Sequence, residues 1–510
     1  MAVAYAVIER EIQARLKGDC LFDDQARLQY STTASWYRIN PIGIVFPRDS
    51  EDVRTVARIC RDAGIAIIPR GGGTGLAGQA VGFGIILDFT RYMNRIVGRS
   101  EHSVTVQPGL ILDALNRELS DSQSFFPVDP TSASLCTLGG MIATNASGWH
   151  GLRYGPTADH VESLTVVTSD GELETVEGPA GGFERLRPAL QDLVAPHRAE
   201  ILRRFPRVKK NSSGYNLPGL ISSNPFDLRR LFAGSEGTLT IITEARLETL
   251  PRPPHRIGAV ATFRSYGESV DAILHALPLN PSAIEILDRS FLLAGENLPG
   301  IKSRSISPGD AALLYFEFEG NSKESLETLV NDLRRQLGSA ALDILRTDDA
   351  REEFWDLRTR ISKALNLESS FGKSSFIEDV TVPVERLGRY LEELARILDR
   401  HHISFTAYGH AGVGNIHCGT FVDLKNPQHI RTIDAVASEV TNLAISLGGT
   451  LSGEHGDGFV RTPFLERVYG STVYSLFVKI KELFDPAGIL NPGKIVGTQN
   501  ATILHDLAIS

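Results

Sequence analysis

Cysteine is scarce and scattered in this chain: Cys20, Cys60, Cys136 and Cys418 are the only four in 510 residues. Disulfide frameworks and iron–sulfur clusters need grouped thiols. Neither is expected here, and any such cluster belongs on another polypeptide. An excess of positive charge is also missing. The 52 Lys and Arg face 61 Asp and Glu, for a formal net charge of −9. That excludes a surface built to follow a nucleic-acid backbone. Long apolar runs are absent, so no membrane span is expected. The N-terminal apolar residues Ala2 to Ile8 meet Glu9, Arg10 and Glu11 at once, without the basic start and cleavage site of a signal peptide. The expected location is the cytoplasm or an organelle matrix, with attachment to an inner membrane only through a partner.

What is abundant is glycine, at 47 residues. Loops and close backbone approaches should therefore matter, and the length suggests two or three domains. Residues 5–17 read as an amphipathic helix and 43–47 as a strand. Ser50–Ala63 reads as a helix with Ser50 as N-cap and Gly64 as C-cap. Strands are expected at 65–68, 85–89 and 103–107, and as a hairpin about Ser169-Asp170-Gly171. Pro251, Pro253 and Pro254 interrupt the pattern and mark a boundary. Beyond them, strands at 257–263, 311–319 and 341–345 alternate with helices at 267–277 and 323–337, which predicts an antiparallel α+β unit. Further helices are expected at 351–367, 384–400, 428–447 and beyond 463, and strands at 378–382, 405–408 and 416–422. The expected division is 1–252, 253–455 and 456–510.

Gly73-Thr74-Gly75-Leu76-Ala77-Gly78 satisfies G-x-G-x-x-G. A dinucleotide-binding turn of that form opens a helix. Here Gln79, Ala80 and Val81 lead to Gly82 and Gly84 and then a strand, so no helix fits. No Gly-Lys-Ser/Thr follows either, which rules out a Walker A loop. A run of glycines between two strands can instead present consecutive backbone N–H groups to an anion, with Arg70 adding charge. A pyrophosphate is the natural guest.

Histidines gather in two segments: Tyr408-Gly409-His410-Ala411-Gly412-Val413-Gly414-Asn415-Ile416-His417 and Gly453-Glu454-His455-Gly456-Asp457-Gly458. A hairpin in the first would bring His410 and His417 to one side. Two imidazoles and a carboxylate suit Zn²⁺ or a similar ion and leave positions open. Adjacent Glu454 and His455 on a Gly-flanked turn can both reach one site, whereas on a regular strand they would diverge.

Five ordered stretches resemble one known family: Pro69–Gly78, Leu138–Gly155, Lys210-Asn211-Ser212-Ser213-Gly214-Tyr215, Gly234-Ser235-Glu236-Gly237-Thr238 and Asn491-Pro492-Gly493-Lys494. The family is that of FAD enzymes of the vanillyl-alcohol oxidase / p-cresol methylhydroxylase type, and the likeness is strongest to its D-lactate / D-2-hydroxyglutarate / glycolate dehydrogenase branch. It covers about residues 30 to 497. It implies an α+β chain: a two-subdomain FAD-binding domain of the p-cresol methylhydroxylase type, an antiparallel α+β substrate cap, and a C-terminal helical segment returning to the flavin. Some relatives attach FAD through His or Cys; the loop here has neither, so non-covalent FAD is expected. The segment Gln29–Ser35 is similar to members that carry an extra iron–sulfur half, and this chain ends before one.

The resemblance implies cofactor contacts from Arg70, Gly71, Gly72, Gly73, Thr74, Gly75, Leu76 and Gly78. It implies others from Pro130, Gly139, Gly140, Thr144, Asn145, Gly148, Gly151 and Tyr154, and from Glu236, Gly237, Ile242 and Asn491. His410, His417 and Glu454 fall on the family's metal ligands, His455 on its general base, Asn415 on a substrate-contacting amide and Arg358 on its carboxylate-binding arginine. Lys373 is a further candidate for a distal carboxylate. Val413 stands where relatives usually have an acidic residue. Ile377-Glu378-Asp379 lacks the lysine that 2-hydroxyglutarate members tend to place there and resembles the lactate and glycolate members more. The implied activity is oxidation of a D-2-hydroxy acid to the 2-oxo acid. The ion would chelate substrate oxygens, a histidine would take the proton and the flavin the hydride.

Imidazole ligands favour Zn²⁺ over Mn²⁺ or Fe²⁺. The electron acceptor stays open between a flavoprotein, a quinone and an iron–sulfur protein, and a homodimer stays an open assembly. Two alternatives stand beside this reading. One is a non-redox FAD-dependent ether-lipid synthase, which needs a histidine cluster near the flavin; His401-His402 is the adjacent pair available. The other is a non-catalytic FAD-binding subunit of a larger complex, which should lack the His-His-Glu set.

Overall fold

Three main sheets carry the strands of the computed structural model, which describes residues 2–296, 306–338, 340–367, 373–374, 376–423, 426–499 and 502–507. In the first, β1 (Asp19–Leu21), β2 (Gly43–Phe46), β3 (Ile67–Arg70) and β4 (Ile85–Asp88) lie in the order β1-β2-β4-β3. β2, β4 and β3 run parallel, and β1 closes one edge antiparallel. Parallel neighbours need a return path about a dozen residues long, usually a helix. Between β3 and β4 the glycine segment makes that return without any helix. The backbone of 71–84 is therefore left free of regular pairing.

The helix Ser50–Ala63 packs on this sheet through Val53, Val56, Ala57, Ile59 and Cys60. Its N-cap is Asp49 rather than Ser50: the Asp49 carboxylate accepts from the N–H groups of Glu51 and Asp52 at 3.0 and 3.1 Å. A carboxylate at the positive end of the helix outcompetes a hydroxyl one residue later. Gly64 closes the helix at φ +64°, as the sequence predicts.

The second sheet orders β5 (Ile96–Arg99), β6 (Ser103–Val106), β10 (Ile241–Glu248), β8 (Val161–Val167) and β9 (Leu173–Glu177) as β5-β6-β10-β8-β9, all antiparallel. β10 alternates buried and half-buried residues, the signature of a sheet with one face on a core. A two-stranded ribbon of β7 (Ser124–Phe125) and β11 (Leu250–Pro251) lies beside it.

The third sheet is antiparallel throughout. β12 (His255–Phe263), β13 (Ala283–Asp288), β14 (Ala312–Gly320), β15 (Asp343–Leu345), β16 (Lys373–Ser374), β18 (Phe405–His410) and β19 (Asn415–Phe421) run in the order β15-β12-β14-β13-β18-β19-β16. β17 (Val380–Thr381) also pairs with β19. The expected strand at 378–382 is thus only two residues long. Its first residues, Glu378 and Asp379, leave the ladder and turn their carboxylates to the site described below. The helices Tyr266–Ala276, Lys323–Leu337, Leu387–Arg400 and Pro427–Ser446 pack with one another, and the first two also lie against β12 and β14 of this sheet.

β13 is buried along its full length although it contains Glu285 and Asp288. A charge on such a strand requires a partner. From the third sheet the chain turns through Gly458–Arg461 into the helix Leu465–Phe484, which kinks at Gly470, where φ is +78°. The tail then joins the free edge of β3: Ile67 N donates to Ile489 O, and Asn491 N donates to Ile67 O, each at 2.8 Å. The overall class is mixed helix and sheet, as expected. Among the described residues no helix is long and apolar enough to cross a membrane.

Candidate functional site

A cavity of 650 Å³ opens where the three sheets meet. Its first wall is the glycine loop: Arg70, Gly71, Gly72, Gly73, Thr74, Gly75 and Leu76 all line it. Glycine is needed there for close approach. A Cβ on Gly72 would lie 2.1 Å from Leu135 O, and one on Gly71 2.0 Å from Thr137 Oγ1. Arg70 lines the cavity too, with its guanidinium donating to Tyr30 O and Thr32 O at 3.1 and 3.0 Å. The second wall includes Pro130, Gly139, Gly140, Thr144 and Gly148, and the third Glu236, Gly237 and Ile242.

Six of the expected site residues stand behind these walls instead. Gly78, at φ +86°, backs onto Tyr37. Asn145 ends the helix Leu138–Thr144 in a left-handed conformation and accepts from Ala158 N at 2.9 Å. Gly151 leaves room for Lys210, whose Cε is 2.7 Å from where a Cβ would sit. The Tyr154 hydroxyl donates to Glu319 at 2.6 Å. Asn491 Nδ2 donates to Gln79 O and Glu236 O at 3.0 and 2.7 Å, tying the tail to two walls. Asn415 is buried; its Nδ2 donates to Asp379 Oδ1 at 3.0 Å, and its Oδ1 has no hydrogen-bond partner among the described residues.

The far end of the cavity is lined by Arg358, Glu378, Tyr408, His410, His417, Glu454 and His455. The β18–β19 hairpin does bring the two histidines together, His410 opposite Asn415 and Tyr408 opposite His417. His410 Nε2 and His417 Nε2 converge on one oxygen, Glu454 Oε1, at 3.1 and 3.2 Å. The three donors lie within 4.8 Å of one another. His410 Nδ1 is held by Glu285 Oε1 at 2.6 Å, which turns Nε2 toward Glu454.

His455 sits beside this set with Nδ1 on the Glu378 carboxylate at 2.9 and 3.0 Å and its backbone N–H on Asp379 Oδ2 at 2.8 Å. Arg461 in turn fixes Glu378 at 2.6 Å. Burial opposes charge on His417, but Glu378 and Glu454 outweigh it and lift its pKa to about 10. For Glu454, burial acts upward; Lys210 and the two histidines nevertheless hold it well below the usual carboxylate range.

Sequence reasoning passes over Glu285 and Arg461, names Lys210 only within a family stretch and without a role, and gives Glu378 no role in holding the base. Glu285 does leave a signal: a lone carboxylate in the apolar run Ala283-Ile284-Glu285-Ile286-Leu287. Arg358 lies on the helix Asp348–Leu367 with Nε 2.9 Å from Glu285 Oε2, an ion pair by distance without an aligned N–H bond. Val413, also buried, has an apolar side chain that offers no hydrogen bond. His401 caps the helix Leu387–Arg400 and pairs with Glu439 at 2.7 Å; neither His401 nor His402 lines the cavity. Lys373 lies on β16, and its side chain falls outside the described residues.

Residues 41–177 match the FAD binding domain family, and residues 252–495 match the C-terminal domain of FAD linked oxidases. A glycolate oxidase subunit GlcD from Bacillus subtilis (strain 168) is 30% identical, with 95% of this chain covering 96% of that protein. The chain belongs to the FAD-linked oxidase family. A D-2-hydroxyglutarate dehydrogenase from Pantoea ananatis (strain AJ13355) is 33% identical over 94% of the chain, and the chain spans about half of that longer protein, 50% of its length. Among solved structures, p-cresol methylhydroxylase with substrate bound shares the fold, with a TM-score of 0.71 at 15% identity over 98% of each chain. The glycine-lined half of the cavity therefore belongs to a FAD-binding fold.

Proposed function

We propose that this FAD-linked oxidase oxidises a D-2-hydroxy acid to the 2-oxo acid, with a divalent ion held by His410, His417 and Glu454 and with His455 as the base. The observation that carries the reading is the convergence of both histidines on one oxygen of Glu454 at the end of the flavin cavity, next to His455. The D hand follows the names of the relatives. Two imidazoles and one carboxylate oxygen fit Zn²⁺. The glycine cradle, which a Cβ on Gly71 or Gly72 would fill, fits the pyrophosphate of FAD.

When bound, FAD would supply a hydride acceptor, and an ion held by His410, His417 and Glu454 would supply Lewis acidity toward a substrate hydroxyl. The chain's own residues do the rest. Glu378 occupies His455 Nδ1, so the proton sits there and Nε2 offers its lone pair to the substrate hydroxyl. Arg358 lines the same end and orients a carboxylate. Tyr408 and Trp149 line the cavity as apolar faces that exclude water. FAD is proposed to stay non-covalent: Cys136 lines the cavity, but burial pushes its thiol up to about 11, so it remains protonated and unreactive. A separate acceptor takes the electrons. Residues 1–252 are assigned to flavin binding, 253–455 to the cap with the metal set, and 456–510 to the segment that returns to β3.

The test is anaerobic bleaching of the flavin absorbance by D- and L-2-hydroxy acids, with and without prior chelation. Bleaching by a D-acid that fades on chelation and is lost in His455→Ala with FAD retained is the expected result. Full bleaching after chelation removes the ion from the reaction, and normal bleaching in His455→Ala removes the base.

A further inference from the structure

The two oxygens of Glu454 have different partners. Oε1 faces both histidines. Oε2 faces Lys210 Nζ at 2.6 Å, and the same ammonium donates to Gly148 O at 3.1 Å. Lys210 is 1% exposed. A cation so enclosed needs its carboxylate, because separating them leaves a charge without solvent or partner.

The lysine is also locked in place by its neighbours. Ser212 Oγ donates to Gly453 O at 3.0 Å and to Asn145 O at 3.1 Å, Ser212 N donates to Ser452 O at 2.9 Å, and Gly214 N donates to Asp457 Oδ2 at 2.6 Å. The strip from Lys210 to Gly214 is thus sewn along the strip from Ser452 to Asp457. Its other contact, Gly148, lines the flavin cavity. Gly151 provides the space, since a Cβ there would stand 2.7 Å from Lys210 Cε.

Resting on the metal reading above, we infer that Lys210 is a positioning residue. It reserves Oε2 of Glu454, commits that carboxylate to the ion through Oε1 alone, and ties the ligand to the cavity wall at Gly148. The consequence is chemical. A carboxylate free to chelate with both oxygens would fill a position on the ion. Held to one oxygen, Glu454 joins two imidazole nitrogens to make three protein donors, which leaves room for the two oxygens of a 2-hydroxy acid. The link to Gly148 sets the ion at a fixed distance from the flavin wall.

Two measurements on the FAD-loaded protein test this. In a crystal structure of the unaltered protein loaded with Zn²⁺, Glu454 Oε1 should lie roughly 2.0–2.2 Å from the ion, with Oε2 on Lys210. Both oxygens on the ion overturn the inference. In Lys210→Met, Zn²⁺ affinity should fall by about 10–100-fold and the visible spectrum of the Co²⁺-loaded protein should change, with the FAD-to-protein absorbance ratio kept. The same affinity and spectrum as the unaltered protein overturn it as well. If Lys210→Met fails to fold, the crystal structure decides alone. An unaltered protein that takes up neither ion overturns the metal reading and this inference with it, whereas normal uptake with both oxygens bound overturns only the role of Lys210.

Discussion

Arg358 meets Glu285 at 2.9 Å in the interior, on a helix and a strand that are far apart in the chain. The other oxygen of Glu285 holds His410. One buried carboxylate therefore supports both an arginine that lines the cavity and a proposed metal ligand. Glu285→Gln removes the charge that both neighbours face. The expected loss is about 3–5 kcal/mol of stability, the cost of leaving one member of a buried pair alone, together with about 10–100-fold in metal affinity. Urea unfolding and metal titration of the same preparation check it. A variant matching the parent in both sinks the coupling.

Gly72 faces Leu135 O so closely that a Cβ would lie 2.1 Å away. Both residues line the flavin cavity. Gly72→Ala forces the two walls apart, at a cost of about 1–3 kcal/mol. If that cost falls on the bound form, FAD affinity drops roughly 10-fold per 1.4 kcal/mol. Gly309, where a Cβ meets nothing within 4 Å, is the control. Equal FAD content after gel filtration in Gly72→Ala and Gly309→Ala would falsify the close-approach argument.

Lys494 is buried against Val81 O, to which it donates at 2.9 Å, and its Nζ lies 4.2 Å from the centre of the Phe459 ring. Burial drives its pKa down from 10.5 to about 7, against an upward pull from Glu236. Between those values the folded protein holds the amine neutral while the unfolded chain binds a proton. Stability must therefore rise with pH across that window, and the penalty is fully present below pH 7. Lys494→Met removes the titration. Its stability relative to the parent should be higher at pH 7 than at pH 10 by on the order of 4 kcal/mol. Urea unfolding at both pH values measures this, and parallel pH dependence in the two proteins would refute it.

Much of the site is legible in the sequence. Gly73 to Gly78 cannot open a helix, because Gly82 and Gly84 follow too soon, and the folded chain has none there. A hairpin can bring His410 and His417 to one side, and β18 and β19 form one. Local chemistry decides such cases: glycine spacing controls backbone freedom, and strand alternation controls facing. The N-cap at Asp49 shows the limit of that reasoning, since Asp49 and Ser50 are both good caps and only the backbone path selects one.

Tertiary structure alone decided what surrounds those residues. Nothing in the local pattern of Lys210, Glu285 or Arg461 says which buried charge each will meet, because their partners Glu454, His410 with Arg358, and Glu378 arrive from other parts of the chain. It also set Asn145, Gly151, Tyr154 and Asn491 outside the cavity lining, where Asn145, Tyr154 and Asn491 hydrogen-bond to neighbouring segments and Gly151 makes room for Lys210. By itself the sequence determined which backbone segments can approach a phosphate and which side chains can hold an ion. Burial then determined which charges must pair, since only the folded interior removes the water that would otherwise satisfy them.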